Sequence, residues 1–211
     1  TYRAAGTSLS GQAISDSILM VATHQWKQSQ ILNNGLKIKL QPGVTGSKAN
    51  ISLQPFGRKI GPDPASINAA MIGGIASNNA SGMCCGTSQN SYKTVADVRL
   101  VLFDGTILDT ADVESRKAFS EKHPEIIHEI EKLRDDVAAD AVLTERIRKK
   151  FKIKNTTGYS INALVDYSDP FEIIKHLIIG AEGTLAFISS LTYNTVVDEK
   201  FKACTLMIFE R

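Results

Sequence analysis

The chain has no apolar run approaching the roughly 20 residues needed to span a bilayer, and no signal-peptide pattern at its start. Cysteine is scarce. Cys84, Cys85 and Cys204 are spaced for neither a disulfide framework nor a zinc site. They read as small buried hydrophobes in a reducing, cytosolic setting. Charge of one sign is also lacking: 24 basic and 22 acidic residues leave a net charge of +2. That balance excludes a polycationic nucleic-acid surface and an acidic tail, so no nucleic-acid partner is expected. Internal repeats and low-complexity tracts are absent. What is present is ordinary for a soluble globular protein with a substantial core: 211 residues, 43% hydrophobic and 22% charged.

Glycine supplies the signal. It clusters in three places: Gly6 to Gly11; the small-residue run from Gly61 through Gly73, Gly74, Gly82 and Gly86; and Gly180 to Gly183. Glycine lets backbone N–H groups turn outward at positive φ and lets a ligand rest where a Cβ would collide. Three such bends separated by strand and helix patterns point to an extended polyanionic ligand in one groove. The four residues between Gly6 and Gly11 invite comparison with the phosphate loop of nucleotide hydrolases. That loop needs Lys and then Ser or Thr after its last glycine, and here Gln12 and Ala13 follow. Kinase and ATPase readings fail. A loop carrying Thr7, Ser8 and Ser10 remains, suited to a pyrophosphate held by neutral hydrogen bonds, or else a tight turn with incidental serines. The second cluster lacks the glycine fingerprint that opens a helix after a strand, which excludes a nicotinamide-binding Rossmann domain. Asn78 and Asn79 suit phosphate or heterocycle edges, or simply a turn before Gly82.

Periodicity predicts a strand over 17–21 and hairpins over 30–40 and 98–108, the latter two turning at Asn33-Asn34-Gly35 and Asp104-Gly105. One or two helical turns are predicted over 47–53. A close-packed helix follows over 66–77, with Ser66 as N-cap. Residues 111–154 hold 10 of the 22 acids and 11 of the 24 bases, broken by Pro124 into two or three amphipathic helices. Their apolar stripe is Ile126, Ile127, Ile130 and Leu133. So dense a mixture of signs suggests a solvated helical excursion, or alternatively a surface for a partner. A helix over 170–178 and strands over 185–196 and 202–209 complete the pattern. The opening Thr1-Tyr2-Arg3 reads as a strand already under way, the mark of a piece of something longer.

These residues resemble the FAD-binding domain of the vanillyl-alcohol oxidase and para-cresol methylhydroxylase (PCMH) superfamily, and within it the bacterial D-2-hydroxyglutarate, D-lactate and glycolate dehydrogenases. The resemblance rests on Arg3-Ala4-Ala5-Gly6-Thr7-Ser8-Leu9-Ser10-Gly11, on Pro62-Asp63-Pro64 followed by Ile72-Gly73-Gly74, on Asn78-Asn79-Ala80-Ser81-Gly82, on Lys154-Asn155-Thr156-Thr157-Gly158-Tyr159, and on Gly180-Ala181-Glu182-Gly183-Thr184-Leu185. It covers most of the chain outside 111–152. Ser81 and Ala181 depart from the commoner Gly and Ser, both small changes.

The resemblance implies an α+β PCMH-type fold, a mixed and mainly antiparallel sheet flanked by helices. The first βα subdomain and the substrate-binding cap domain of the family are not matched. Residues 1–110 would form the pyrophosphate and flavin-lining part, 111–152 a charged helical insertion, 153–200 a return to the FAD-binding part, and 201–211 the start of a following unit. FAD would bind noncovalently, since no histidine flanks the first loop; His24, His123, His128 and His176 are expected at the surface. Within the first loop, Arg3, Ala4 and Ala5 would touch the cofactor, while Gly6, Thr7, Ser8 and Leu9 would meet the pyrophosphate. Gly11, Gln12, Pro62, Asp63, Ser66, Gly73, Gly74, Ser77, Asn78 and Gly82 would line the adenosine and isoalloxazine. Glu182 and Gly183 would close the far side, with Glu182 accepting from a ribose or ribityl hydroxyl.

No catalytic residue and no metal ligand is assigned. The function implied is oxidation of a D-2-hydroxy acid by hydride transfer to flavin N5, with electrons leaving to a quinone, a flavoprotein or an iron–sulfur module. The 211 residues alone are expected to be inactive. The expected location is cytoplasmic, with the membrane periphery as the alternative. Two other readings stay open: a noncatalytic FAD-holding subunit of an oxidase complex, and a protein-interaction module built on the charged helices.

Overall fold

The computed structural model describes residues 1–201 and 203–209. In chain order, β1 (Tyr2–Arg3) and β2 (Met20–Val21) form a small parallel pair. The hairpin of β3 (Ser29–Leu32) and β4 (Lys37–Leu40) comes next, then α1 (Gly46–Leu53), β5 (Arg58–Ile60), α2 (Ile72–Ser77), α3 (Ser91–Thr94), β6 (Val95–Val101) and β7 (Ile107–Asp109). Three helices follow, α4 (Val113–Lys122), α5 (Pro124–Ala139) and α6 (Ala141–Lys150); then α7 (Ala163–Asp166), α8 (Pro170–Ile178) and β8 (Phe187–Val197).

Strand β8 is the spine. Its 11 residues pair antiparallel with β4, β6 and β5, and the main sheet runs β3-β4-β8-β6-β7 with β5 also bonded to β8. Both predicted hairpins form. The first turns through Asn33, Asn34 and Gly35, all at positive φ (48°, 52° and 85°). Only glycine and, less easily, asparagine adopt that region without much strain. One face of the sheet presents Ile38, Leu40, Val98, Leu100, Leu108, Leu191 and Tyr193, which pack in a single buried cluster with Leu53, Ile72, Ile75 and Ile173 from the helices. Tyr193 is fully buried, and its hydroxyl shares a hydrogen bond with Ser91 Oγ at 2.6 Å, which meets the polar requirement of a buried phenol.

Several expectations are corrected. The helix expected over 66–77 occupies only Ile72–Ser77, and its N-cap is Met71, not Ser66. Before it residues 65–69 fold into tight turns, with Ile67 N donating to Pro64 O and Ala69 N and Ala70 N to Ser66 O, and the chain bonds to the start of α1: Gly46 N donates to Ala70 O, and Ile72 N donates to Val44 O. Those tertiary bonds outcompete a longer helix. The strand expected over 17–21 shortens to Met20–Val21, and Ile18 before it is exposed. Leu133 is half exposed, while Ile126, Ile127, Ile130 and Val137 are the residues of α5 that pack on the core. Residues 203–209 form no strand; Lys202 lies outside the described residues. Of the cysteines only Cys85 is buried, Cys84 and Cys204 being exposed.

Two histidines expected at the surface are also buried. His123 bonds Thr106 Oγ1 through Nε2 at 2.9 Å. His176 stacks on the Tyr167 ring at 4.0 Å, with Nδ1 hydrogen-bonded to Glu172 O at 2.7 Å. Desolvation, helped by the neighbouring Lys175, holds the His176 pKa below its ordinary value despite the Glu172 contact. The unfolded chain therefore takes a proton below about pH 6.5 that the folded one refuses. Stability is complete above that pH and falls as pH drops toward the folded pKa. A falling urea midpoint from about pH 7 to about pH 5 is the expected result, with a flatter profile in His176→Phe; parallel profiles for the two proteins would contradict it.

Candidate functional site

The three glycine bends meet. Residues of all three line one cavity of about 500 Å³ beside the end of β8, within the range of cofactor sites. From the first bend come Arg3, Ala4, Ala5, Gly6, Thr7, Ser8, Leu9 and Gln12; from the second, Ser66, Gly73, Gly74, Ser77 and Asn78; from the third, Glu182 and Gly183.

The first bend leaves β1 and turns at Gly6 (φ 68°) and Gly11 (φ 76°). The backbone N–H groups of Gly6, Thr7, Ser8 and Leu9 have no internal acceptor among the described residues. Four consecutive free amides are the donor set an anion requires. The Arg3 guanidinium folds over Gly6, with Nε 2.6 Å from where a Cβ would stand. A cation therefore accompanies the neutral donors expected from the sequence, and Lys154, not foreseen as a site residue, lines the same cavity. Its Nζ donates to Ser81 O at 2.5 Å.

The second and third bends are tied directly. Asn78 Nδ2 donates to Glu182 Oε1 at 2.6 Å across 104 residues, and Glu182 N donates to Ser77 O at 2.9 Å. Glu182 sits at φ 53°, where a non-glycine residue is strained. One of its oxygens is thus committed to the protein, a contact the sequence did not disclose. Asn79, at φ 47°, turns away; its Oδ1 accepts from Tyr92 N at 3.1 Å. The paired glycines of α2 also differ in role. A Cβ on Gly73 would stand 2.7 Å from Pro42 Cβ, so that glycine permits helix packing, whereas Gly74 is exposed to the cavity with only Ala4 Cβ within 4 Å, at 3.7 Å.

Four expected site residues lie outside this lining: Gly11, Pro62, Asp63 and Gly82. Pro62 is buried. Asp63 is engaged as a clasp, its carboxylate accepting from Gly82 N at 2.8 Å and Cys84 N at 3.0 Å. Gly82 is needed for that clasp, because a Cβ there would fall 2.4 Å from Asp63 O. Burial pushes the Asp63 pKa up, but hydrogen bonds from Cys85, Gly82 and Cys84 outweigh it and hold the carboxyl below its ordinary value. Its contribution is therefore present above about pH 4 and lost as pH falls through the lowered pKa. Asp63→Ala is expected to lower the thermal midpoint by roughly 2–8 °C, since two amides lose a charged acceptor. An unchanged midpoint in a melting curve would remove the clasp from this account.

Residues the sequence reading missed include Tyr2, Pro42 and Phe187. Tyr2 and Phe187 pack with their rings tilted and centroids 5.1 Å apart, and Trp26 meets Phe187 edge-on at 5.2 Å. Phe187 follows the third glycine bend closely in sequence, which was the available signal; nothing in the chain pattern pointed to Pro42. Two polar atoms of the lining residues, Gln12 Oε1 and Ser81 Oγ, are buried without a partner. Buried polar groups are seldom left so. With the free amides, Arg3 and the bare wall at Gly74, they fit a ligand that is anionic in one part and hydroxyl-bearing in another. Among the described residues no group of three or more His, Cys, Asp or Glu is placed to hold a metal, and no helix is long and apolar enough to cross a membrane.

An antiparallel sheet flanked by helices, with glycine bends converging at one end of its longest strand, defines a PCMH-type FAD-binding domain. The family described as "FAD binding domain" matches residues 1–111, and the chain belongs to it; FAD is its cofactor. The chain is 30% identical to D-2-hydroxyglutarate dehydrogenase of Pantoea ananatis over 90% of its own length and 19% of that protein's. The corresponding Escherichia coli enzyme is 28% identical over 90% and 19% of the two chains, and the Escherichia coli glycolate oxidase subunit GlcD is 30% identical over 50% and 22%. Among solved structures, an alkyldihydroxyacetonephosphate synthase superimposes on 93% of this chain and 27% of its own with a TM-score of 0.55 and 15% identity, a likeness of fold. The chain spans about a fifth of the length of the curated relatives it matches.

Proposed function

We propose that this chain is the FAD-holding domain of a flavin-dependent dehydrogenase that oxidises a D-2-hydroxy acid of the 2-hydroxyglutarate, lactate or glycolate type. The convergence of the three glycine bends on one cavity carries the reading. The names of relatives that align over nine-tenths of the chain support its substrate class. Bound noncovalently, FAD supplies a hydride acceptor at N5 for the α-carbon of the hydroxy acid.

The chain's own part is to bind and orient. The free amides of Gly6 to Leu9 and the Arg3 guanidinium receive the pyrophosphate, charge and donors acting together. Gln12 Oε1 accepts from a hydroxyl of the cofactor, which ends its isolation. Gly74 keeps the wall free of side chain, and Tyr2 and Phe187 close the apolar end against water. The Asn78–Glu182 bond keeps the second and third bends together. No residue of this chain takes the substrate's hydroxyl proton in this account. A quinone, a flavoprotein or an iron–sulfur module would receive the electrons.

A second reading has one observation in its favour: GlcD, which aligns with half of the chain, is named as a subunit of an oxidase. The chain would then hold FAD within a multi-subunit enzyme. The test is anaerobic titration of the full-length protein with D-2-hydroxyglutarate, D-lactate and glycolate, following the flavin bands. Bleaching by one of them is the expected result. A colourless full-length protein sinks both readings, and a coloured one that bleaches only after a partner subunit is added selects the second.

A further inference from the structure

A second cavity, of about 320 Å³, lies between the flavin-lining segment and the C-terminal end of α6. Consecutive residues divide between the two cavities. Asn78 lines the first and Asn79 the second; Lys154 and Thr156 line the first, while Asn155 lines the second. The second cavity is therefore walled off from the flavin site by single strands of main chain, and it shares none of the groups assigned above to the cofactor.

Its lining mixes apolar side chains, Ile147, Phe151, Ile153 and Val165, with polar ones that are mostly satisfied. Asn79 accepts from Tyr92 N, Asn90 accepts from Lys93 N, and Ser160 Oγ donates to Ile179 O. Asn162 is the exception. It is only 7% exposed, and its Oδ1 is buried with no partner. Its Nδ2 donates to Asp166 Oδ2 at 3.2 Å. That bond settles the orientation of the amide, since the reverse would set two oxygens face to face. An acceptor left bare in this way costs free energy until a donor reaches it.

The charges around it are unbalanced. Three cations, Lys93, Arg148 and Lys152, stand in the lining against one carboxylate, Asp166. Asp166 is already engaged: it accepts from the Tyr92 hydroxyl at 2.8 Å and from Asn162, and Lys93 Nζ lies 3.9 Å away. The Arg148 and Lys152 side chains have no ion-pair or hydrogen-bond partner among the described residues. Two uncommitted cations and one residue with an uncommitted buried acceptor line the same cavity, a set that complements a ligand with anionic oxygens at one end and a hydroxyl donor at the other.

We propose that this cavity binds a small hydroxylated oxyanion, a carboxylate or phosphate compound carrying at least one hydroxyl. The proposal does not rest on the flavin chemistry. Calorimetry on the full-length holoprotein tests it with L-malate and glycerol 3-phosphate as the carboxylate and phosphate arms. Inorganic phosphate and glycerol, each with half of the required chemistry, are the controls. At least one of the two probes is expected to bind at one per chain, and both controls at least about tenfold more weakly. Arg148 and Lys152 are exposed, so the double variant Arg148→Gln/Lys152→Gln keeps its fold and flavin and is expected to bind about tenfold or more weakly. Asn162→Leu is expected to weaken the hydroxylated probe while leaving the affinity for inorganic phosphate unchanged. Absence of saturable binding by both probes overturns the proposal, as does unchanged probe affinity in either flavin-loaded variant.

Discussion

Gly74→Val in the full-length protein is expected to give folded protein with less than about a tenth of the wild-type flavin, a loss of more than roughly 1.4 kcal/mol in cofactor binding. Gly74 has no positive φ, so its backbone accepts a side chain. Within 4 Å of a Cβ there lies only Ala4 Cβ, at 3.7 Å, an ordinary contact. The cost of valine therefore falls on whatever occupies the cavity, into which its branches project, and not on the fold. Gly74→Ala, with a single methyl, is expected to keep most of the flavin. Gly73→Ala should behave in the opposite way and lose stability first, because its Cβ would press within 2.7 Å of Pro42 Cβ, and neither the ring nor the helix backbone can give freely. The ratio of flavin to protein absorbance, read beside a melting curve, separates the two glycines. Full flavin in a folded Gly74→Val protein would displace the cofactor from this wall.

The second large effect is expected at Glu182. Its side chain joins the second and third bends through Asn78, while its backbone is held at φ 53°. These two features pull in opposite directions in Glu182→Gly. Left-handed strain of order 1 kcal/mol is relieved, but the only side-chain bond between these bends among the described residues is lost. The melting temperature is therefore expected to hold or rise while the FAD dissociation constant rises about tenfold, the worth of one bond to a charged group. Glu182→Gln keeps an acceptor toward Asn78 and should fall between the two. Should Glu182→Gly bind FAD as tightly as wild type, the clasp has no part in shaping the site.

The hairpins were readable because a turn is a local event. Asn33-Asn34-Gly35 and Asp104-Gly105 carry their positive-φ preference in adjacent residues, and both turn where expected. The three charged helices were readable for a similar reason, Pro124 standing at the first turn of α5, where a missing N–H costs nothing. The helix over 66–77 is shorter than expected because its first half folds into turns whose carbonyls, Ile67 O and Ala70 O, accept from Ser47 N and Gly46 N, residues some twenty positions earlier. Asp63 and Gly82 lie outside the cavity lining and form a clasp with each other, and a clasp between two parts of a loop uses the same residue types as a ligand site. A carboxylate with nearby glycines does not reveal which donors it will meet. His176 was misplaced because the apolar partners that bury it, Tyr92 and Tyr167, come from other elements.

The sequence by itself determined where three glycine-rich runs lie and in what order, and its motifs carried the resemblance to FAD-binding domains that the family match established. Each of those properties resides in short runs of small residues, where allowed φ values and the absence of a Cβ are set by the residue alone. Only the tertiary structure decided that the bends share one cavity, that Gly73 serves packing while Gly74 faces open space, and that Glu182 is bound to Asn78. Those outcomes depend on distances between residues far apart in the chain, and such distances are set by the packing of β8 against the helices rather than by any local preference.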